Sequence, residues 1–210
     1  MGLIRLLMSD PAAFVMLAVL LLYSVILHEV AHGWVASKMG DETARWLGRL
    51  TLNPLKHLDP IGSAMLLLVG FGWARPVPVN IENIPLPRRR LGLILVSAAG
   101  VTANLIIAFC ALLFWRLVQP PQGSLLQNVL YLLSYINILL AAFNLIPIPP
   151  LDGSKILMGF APERLNRLLY QIEPFGFFIV LGLLLTGVLH PVIRMFQYGI
   201  ISLISLFLPA

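Results

Sequence analysis

Long apolar runs, separated by short polar stretches, dominate the hydrophobic pattern of this chain. The runs cover about residues 12–36, 91–118, 125–146 and 175–189. A helix needs about 20 mostly apolar residues to cross a bilayer, and most of these runs approach or exceed that length. Barrel strands would instead alternate between apolar and polar residues in short segments. The pattern therefore predicts an all-α polytopic membrane protein with about four to six transmembrane helices.

Two intermediate regions of the pattern are less regular. Residues 62–72 are apolar but too few to span a bilayer, so we predict a short re-entrant element there. The proline-rich stretch 73–90 predicts extended chain or loop, because its prolines exclude a helix. The last run, 191–208, carries Arg194 and Gln197 near its start, and it is read either as a fifth span or as an interfacial helix.

The domain organisation follows from the same pattern. No stretch is polar enough to form a separate soluble domain, so residues 1–210 are interpreted as a single integral membrane domain. Its core covers about 12–158, and its C-terminal hydrophobic helices cover about 174–208. The N-terminus shows one basic residue and no small-residue cleavage site, so we expect the first span to be retained.

Charge orients the predicted spans. The chain is 59% hydrophobic and 11% charged, with a net charge of +5. Eight of its fourteen basic residues lie within 38–90, and none lies in the loop 119–124. Basic residues concentrate in cytoplasmic loops, so we predict that 38–90 and 152–173 face the cytoplasm of a multi-pass protein of the cell membrane. This distribution indicates membrane topology and not a nucleic-acid partner.

Three ionisable residues interrupt the first apolar run. His28, Glu29 and His32 form the pattern H-E-x-x-H. On a helix the two histidines share one face and can bind one Zn²⁺, and the glutamate can take a proton from water. Such matches arise by chance in soluble helices, but a charge inside a bilayer costs several kcal/mol. Metal coordination removes that cost, so we predict a metal site, about 12 Å from the cytoplasmic end of the helix at Ala36.

Zinc in a catalytic site needs a third protein ligand. Asp152 lies just past the cytoplasmic end of the third span, behind a rigid proline turn, and can match the depth of His28. The alternative role for Asp152 is to cap the helix that starts beside it, because Asp is a common N-cap residue. Glu163 and Glu173 are the candidates if the third ligand is a glutamate, although neither lies within an apolar span. Topology alone leaves these alternatives open.

Two motifs together resemble those of a known family. The H-E-x-x-H of residues 28–32 is followed by N-L-I-P-I-P-P-L-D-G at 144–153. In this order, and on apolar spans, they resemble the site-2 protease family of intramembrane zinc metalloproteases, in the short form that lacks a PDZ domain. The resemblance implies one Zn²⁺ per chain, held by His28, His32 and Asp152, with Glu29 as general base.

A further stretch supports the resemblance, which covers roughly residues 12–158. Residues 97–105 are similar to the family's G-P-x-x-N stretch, with Val101 where proline is usual. That departure weakens any role assigned to Gly100 or Asn104. We therefore expect Asn104 to be structural.

Asn144 is the second candidate catalytic residue. Its amide can donate to a developing oxyanion or hold the substrate backbone. The alternative is a helix–helix hydrogen bond of the kind common in membranes, which we also expect for Asn137. His57 is read as a solvated loop histidine, with a fourth metal-binding group as the alternative.

The predicted function is hydrolysis of peptide bonds within or near transmembrane segments of membrane protein substrates, that is, regulated intramembrane proteolysis. The short element and the extended stretch 73–80 are candidates for a strand edge that pairs with unwound substrate. The runner-up is a metal-ion transporter with an intramembrane His/carboxylate site. A protease-like scaffold without activity is a third hypothesis. Expected partners are the substrate and the bilayer, with no nucleic acid, and the sequence is compatible with a homo-oligomer.

Overall fold

The computed structural model describes residues 3–69 and 72–209, and every regular element in those ranges is a helix. The predicted all-α class is confirmed. Five residues of the predicted domain lie outside the described residues: Met1, Gly2, Gly70, Phe71 and Ala210. Gly70 and Phe71 belong to its predicted short element. The helices are α1 Ile4–Ser9, α2 Pro11–Met39, α3 Thr43–Trp46, α4 Pro60–Val69, α5 Arg89–Val118, α6 Leu125–Asn144, α7 Asp152–Phe160, α8 Glu163–Ile172, α9 Gly176–Leu185 and α10 Leu189–Ser205.

Four helical segments of the described chain are long and apolar enough to cross a membrane. They are Pro11–Met39, Leu86–Val118, Leu125–Asn144 and Glu163–Leu185. The first three match the predicted spans closely. The protein is therefore a polytopic membrane protein, as its sequence predicts.

The predicted extent of the fourth span, 175–189, is wrong at both ends. α9 stops at Leu185, and Gly187 then turns the chain with φ +79°. The long helical path instead begins at Glu163, because α8 continues through a 3₁₀ turn at Glu173–Phe175 into α9. A short polar helical segment is expected over residues 154–173, and the structure has α8 there; hydropathy does not join it to the fourth span, since α8 is amphipathic and not uniformly apolar.

Local sequence signals set both ends of α2. Asp10 caps the helix by accepting a hydrogen bond from the backbone N–H of Ala13, and Pro11 occupies the first helical position. Gly40 ends it with φ +114°, a conformation that residues with a Cβ rarely adopt. The helix runs to Met39, three residues beyond the predicted end.

The helices pack around a shared core. α5 lies against α2, α6 and α7, and α10 packs on α6. Small residues lie in its interior, since Ala108 of α5 and Ala141 and Ala142 of α6 have no exposed surface. Val180 of α9 and Leu189 of α10 join the same buried cluster, so the C-terminal helices belong to the bundle. α10 has 17 residues and is not among the four membrane-spanning segments.

The segment between α2 and α5 returns toward α2 instead of leaving it. α4 has ten residues, about 15 Å of helix, which confirms the predicted short element. Residues 72–80 have no regular structure, as the prolines predict, and 3₁₀ turns follow at Ile81–Asn83 and Leu86–Arg88. This path places the extended residues beside the polar face of α2.

Candidate metal centre

Three side chains converge at the junction of α2, α5 and α7. The Nε2 atoms of His28 and His32 lie 3.0 Å apart, and each lies 3.2 Å from Oδ2 of Asp152. Among the described residues this is the group of His, Cys, Asp and Glu side chains that can hold a metal ion. The spacing of four residues in α2 and the helix start at α7 therefore bring the three predicted ligands together.

The donor set fits zinc. Four ligands placed tetrahedrally about Zn²⁺ at 2.0–2.1 Å lie about 3.3 Å from one another, close to the separations among these three atoms. Oδ2 of Asp152 is buried and has no hydrogen-bond partner, although two imidazole nitrogens face it. A buried carboxylate oxygen aimed at two nitrogens without a hydrogen bond is the arrangement that a shared cation satisfies.

The capping alternative for Asp152 is wrong. Helix α7 starts at Asp152 itself, its N-cap is Leu151, and no side chain caps it. The backbone N–H and the hydroxyl of Ser154 both donate to the carbonyl of Leu151 instead. The carboxylate of Asp152 is therefore not engaged as a helix cap, and its Oδ2 faces the two histidines instead.

Hydrogen bonds on the far side of each ring orient the two imidazoles. Nδ1 of His28 lies 2.6 Å from Oδ1 of Asn104, and Nδ1 of His32 lies 2.6 Å from the carbonyl oxygen of Val96. Carbonyl oxygens only accept, so each Nδ1 donates its hydrogen and each Nε2 keeps its lone pair for the cluster. The structure therefore fixes both histidines in the tautomer that binds a metal through Nε2.

A buried polar chain extends this support across three helices. Nδ2 of Asn104 in α5 donates to Oδ1 of Asn137 in α6 at 2.8 Å, and Nδ2 of Asn137 donates to Oγ of Ser24 in α2 at 2.8 Å. Asn104 and Asn137 have no exposed surface. This polar chain of hydrogen bonds begins at His28 and ends at Ser24, both on α2, so it holds α2, α5 and α6 together at the depth of His28.

Asn104 and Gly100 are the functional residues that sequence reasoning missed. We expected Asn104 to be structural, yet it contacts a metal-binding histidine directly. A Cβ at Gly100 would collide with both imidazoles, so only glycine permits this approach of α5 to α2. The available signal was a polar residue and a glycine four positions apart, on one face of an apolar helix.

Glu29 lies on another side of α2 and is half-buried. Its Oε2 accepts a hydrogen bond of 2.8 Å from the backbone N–H of Val77, in the extended segment. That segment is held in turn by Arg49, whose guanidinium donates to the carbonyls of Arg75 and Pro76 at 2.8 and 3.1 Å. The predicted base is thus oriented from the loop side of the molecule.

Two other candidates lie elsewhere. Asn144 is half-buried, and its amide donates to the carbonyl of Leu140 one turn back in the same helix. Within the described chain its side chain makes no hydrogen bond to the three ligands, so its substrate role stays a prediction. The expectation of a solvated His57 is wrong, since that side chain has no exposed surface and its Nε2 donates to the carbonyl of Thr51.

Comparisons with known proteins agree with this geometry. Residues 16–187 match the family model described as peptidase family M50. The chain is 40% identical over 200 residues to the "Putative zinc metalloprotease YwhC" of Bacillus subtilis, covering 90% of each chain. It is 30% identical over 187 residues to the "Putative zinc metalloprotease Rip2" of Mycolicibacterium smegmatis, covering 87% of this chain and 71% of that one. No solved structure matches the chain.

Proposed function

The chain belongs to peptidase family M50 and is a zinc metalloprotease, and from this premise we propose that it cleaves peptide bonds within or next to transmembrane segments of other membrane proteins. The observation that carries the proposal is the position of two ligands, His28 and His32, inside the membrane-spanning helix α2. A soluble substrate has no route to such a site, whereas a membrane-embedded chain can reach it laterally.

The depth of the site supports cleavage on one side of the bilayer. His28 lies eleven residues before the C-terminal end of α2 and seventeen after its start, about 17 and 26 Å along the axis. We propose that this nearer end faces the cytoplasm of a cell-membrane protein, because the basic residues gather there. Substrate would then be cut in its cytoplasmic half, as in regulated intramembrane proteolysis.

We assign the residues as follows. His28, His32 and Asp152 hold zinc, which when bound polarises the scissile carbonyl and activates water. Glu29 takes the proton from the attacking water and passes it to the leaving amine. The hydrogen bond from Val77 engages Oε2 and leaves Oε1 for this proton. The orienting partners of the histidines keep the ligand geometry fixed while the proton moves.

A transmembrane helix hides its carbonyls in hydrogen bonds, so substrate must unwind locally before it is cut. We propose that the extended residues 73–80 offer backbone groups to the unwound chain, since strand addition satisfies its polar atoms in an apolar setting. Asn144 is assigned to the substrate backbone in the same proposal. The partners implied are a transmembrane protein and the bilayer.

The test compares the wild type with Glu29→Gln, reconstituted with a membrane-spanning substrate. We expect the variant to keep its zinc and to lose at least about 100-fold in rate, which is the contribution of a positioned general base. Glu82→Gln, an exposed glutamate in the loop before α5, is the matched control and is expected to cleave like the wild type. Cleavage by Glu29→Gln at the wild-type rate would refute the assignment, and zinc uptake into vesicles without cleavage would favour a transporter.

A further inference from the structure

The connector that follows α2, residues 41–61, which includes the first residues of α4, exposes apolar side chains in unusual number. Trp46, Leu47, Leu55 and Ile61 are 79%, 60%, 78% and 68% exposed. Large apolar residues of a water-facing loop are scattered singly, and a run like this one marks a surface that another apolar medium covers.

Three polar side chains of the same connector are buried. Asp41 and His57 have no exposed surface, and Arg49 is only 8% exposed. Each is turned inward to protein partners: Asp41 accepts from the backbone N–H of Asn80, Arg49 donates to backbone carbonyls, and His57 donates to Thr51. The connector thus buries three charged or polar groups while its large apolar side chains face outward, which is unusual for a soluble loop.

The packing of the connector gives its depth. A Cβ placed on Gly33 would lie 2.7 Å from Leu50, 2.7 Å from Val77 and 3.1 Å from Ala44. Gly33 lies six residues before the end of α2 at Met39, about 9 Å back along the helix. The connector therefore folds back beside the membrane-spanning helix, at the level next to the ligand His32.

Independent markers place the edge of the bilayer at the same level. Trp34 is 57% exposed, and Nζ of Lys38 lies 5.7 Å from the centre of its ring. An exposed tryptophan beside a lysine at the end of a span is typical of the membrane interface. α4 continues the apolar surface on the other side, with Ile61 and Leu68 exposed on a helix too short to cross.

We propose that the connector is inserted in lipid, with its exposed apolar side chains in the leaflet at the C-terminal end of α2. The inserted residues are Trp46, Leu47, Leu52, Leu55, Leu58 and Ile61. The connector packs on the membrane-spanning α2 through Ala44 and Leu50 at Gly33, and Lys56 is exposed beside the apolar residues to meet lipid phosphates. Lipid is the occupant that this packing on a membrane-spanning helix and this charge favour.

The proposal has a consequence for the active site. The outer face of the connector meets lipid, while Arg49 on its inner face holds Arg75 and Pro76, the residues just before the Glu29 contact at Val77. Lipid contact would thus support the segment that orients the base. The inference does not depend on cleavage of any particular substrate.

The experiment measures depth directly in the full chain, in vesicles of phosphatidylcholine and phosphatidylglycerol. Cys110, the one cysteine in the sequence, is replaced by Ser, and a nitroxide is attached at Leu55→Cys. Ile106→Cys, exposed on the membrane-spanning α5, is the lipid control, and Gln122→Cys, in the loop before α6, is the water control. Collision of each label with oxygen and with a water-soluble nickel chelate reports its surroundings.

We expect the Leu55 label to match Ile106, with oxygen collisions dominant and nickel collisions lost. A label that collides with nickel as Gln122 does would overturn the proposal. A label that neither reagent reaches, and whose spectrum broadens as the ratio of protein to lipid rises, would also overturn the proposal. That result would show that a second copy of the protein covers the surface. Neither result bears on whether the enzyme cleaves its substrate.

A second measurement guards against misfolding of the labelled variants. Brominated lipids quench tryptophan fluorescence on contact, and acrylamide quenches it from water. We expect Trp46→Phe to remove a lipid-quenched component of the emission and to leave zinc content unchanged. Loss of an acrylamide-quenched component instead would contradict lipid insertion.

Discussion

The two halves of the candidate active site are held in different ways. The ligand half comprises His28, His32 and Asp152, and side chains and carbonyls of packed helices orient its histidines. The base half comprises Glu29 and the connector, and a backbone N–H from an irregular segment orients its carboxylate. One half is therefore built from the rigid bundle, and the other depends on a loop that a few hydrogen bonds hold, among them those of Arg49 and Asp41.

Because of this difference, zinc binding and catalytic rate, which are usually lost together, can be lost separately. Helices packed through buried hydrogen bonds have few alternative arrangements, so the ligand half should keep its geometry when the loop is disturbed. Loop segments open at lower free-energy cost than cores do. Zinc binding and catalytic rate should accordingly respond to different substitutions.

The largest effect is expected from Asp152→Asn in the ligand half. An amide oxygen replaces the charged oxygen that faces both imidazoles, so the site loses its anionic ligand. Zinc affinity should fall by more than the about 10- to 100-fold that loss of an outer partner costs. Metal content by mass spectrometry after dialysis against a chelator measures this. Retention of full zinc affinity would remove Asp152 from the ligand set.

The next effect is expected from Asn104→Ala, which removes the hydrogen bond that orients His28. Losing such an outer partner typically costs about 10- to 100-fold in metal affinity or activity. Asn128→Ala, an exposed asparagine on α6, is the matched control. Zinc titration followed with a competing chelator gives the affinity of each protein.

The companion variant Asn137→Ala sharpens this result. Asn137 acts on His28 only through Asn104, so its zinc affinity should fall less than that of Asn104→Ala. Equal affinities for Asn104→Ala and wild type would show that the bundle holds His28 without the polar chain.

The ligand half could be predicted from sequence because its signals are local. The spacing of His28 and His32 is a property of one helix, and the resemblance supplied Asp152 from the motif around it. The contact of Asn104 with His28 could not be predicted, since it joins residues 76 positions apart and depends on how α5 packs on α2. Helix packing of that kind depends on the shapes of the helix surfaces, which hydropathy does not describe.

The connector is a second region whose structure could not be predicted from the sequence. Its polar residues suggested a solvated loop, yet the structure buries Asp41, Arg49 and His57 and exposes Trp46 and Leu55. Composition counts polar and apolar residues but does not tell which face of a loop meets protein. The fold class and the first three spans depend on the pattern of apolar runs, and those predictions are confirmed.

In the base half, Arg49→Met is expected to lower kcat and leave zinc content and KM unchanged. The guanidinium holds the two carbonyls before Val77, and hydrogen bonds to charged groups contribute about 1.5–3 kcal/mol. If about half of that energy acts on Glu29, the rate falls about 4- to 13-fold. Steady-state cleavage of a membrane-spanning peptide measures the change.

Two further variants test that assignment. Arg45→Met alters an exposed arginine of the same connector, paired with Glu42 at 3.3 Å, and should leave the rate unchanged. Arg49→Lys should recover part of the rate, because an ammonium still donates to carbonyls. Zinc loss in parallel with rate loss would show that the two halves are not separate.

The smallest effect is expected from protonation of Asp41, which fastens the far end of the extended segment. Burial alone would raise the pKa of Asp41, but hydrogen bonds from Thr43, Asn80 and Asn83 outweigh burial and lower it. A carboxyl whose pKa is lower in the folded protein stabilises the fold above its unfolded pKa of 3.8, and this stabilisation disappears as pH falls through the folded value. Asp41→Asn lacks that contribution at every pH. At pH 7 its melting temperature should lie a few degrees below that of the wild type, since a loss of about 1 kcal/mol lowers the melting temperature of a protein of this size by about 2–4 °C. In acid this gap between the two melting temperatures should close. Thermal unfolding of both proteins from pH 7 down to 3 measures the gap; a constant gap would mean that the hydrogen bonds of Asp41 do not depend on its charge.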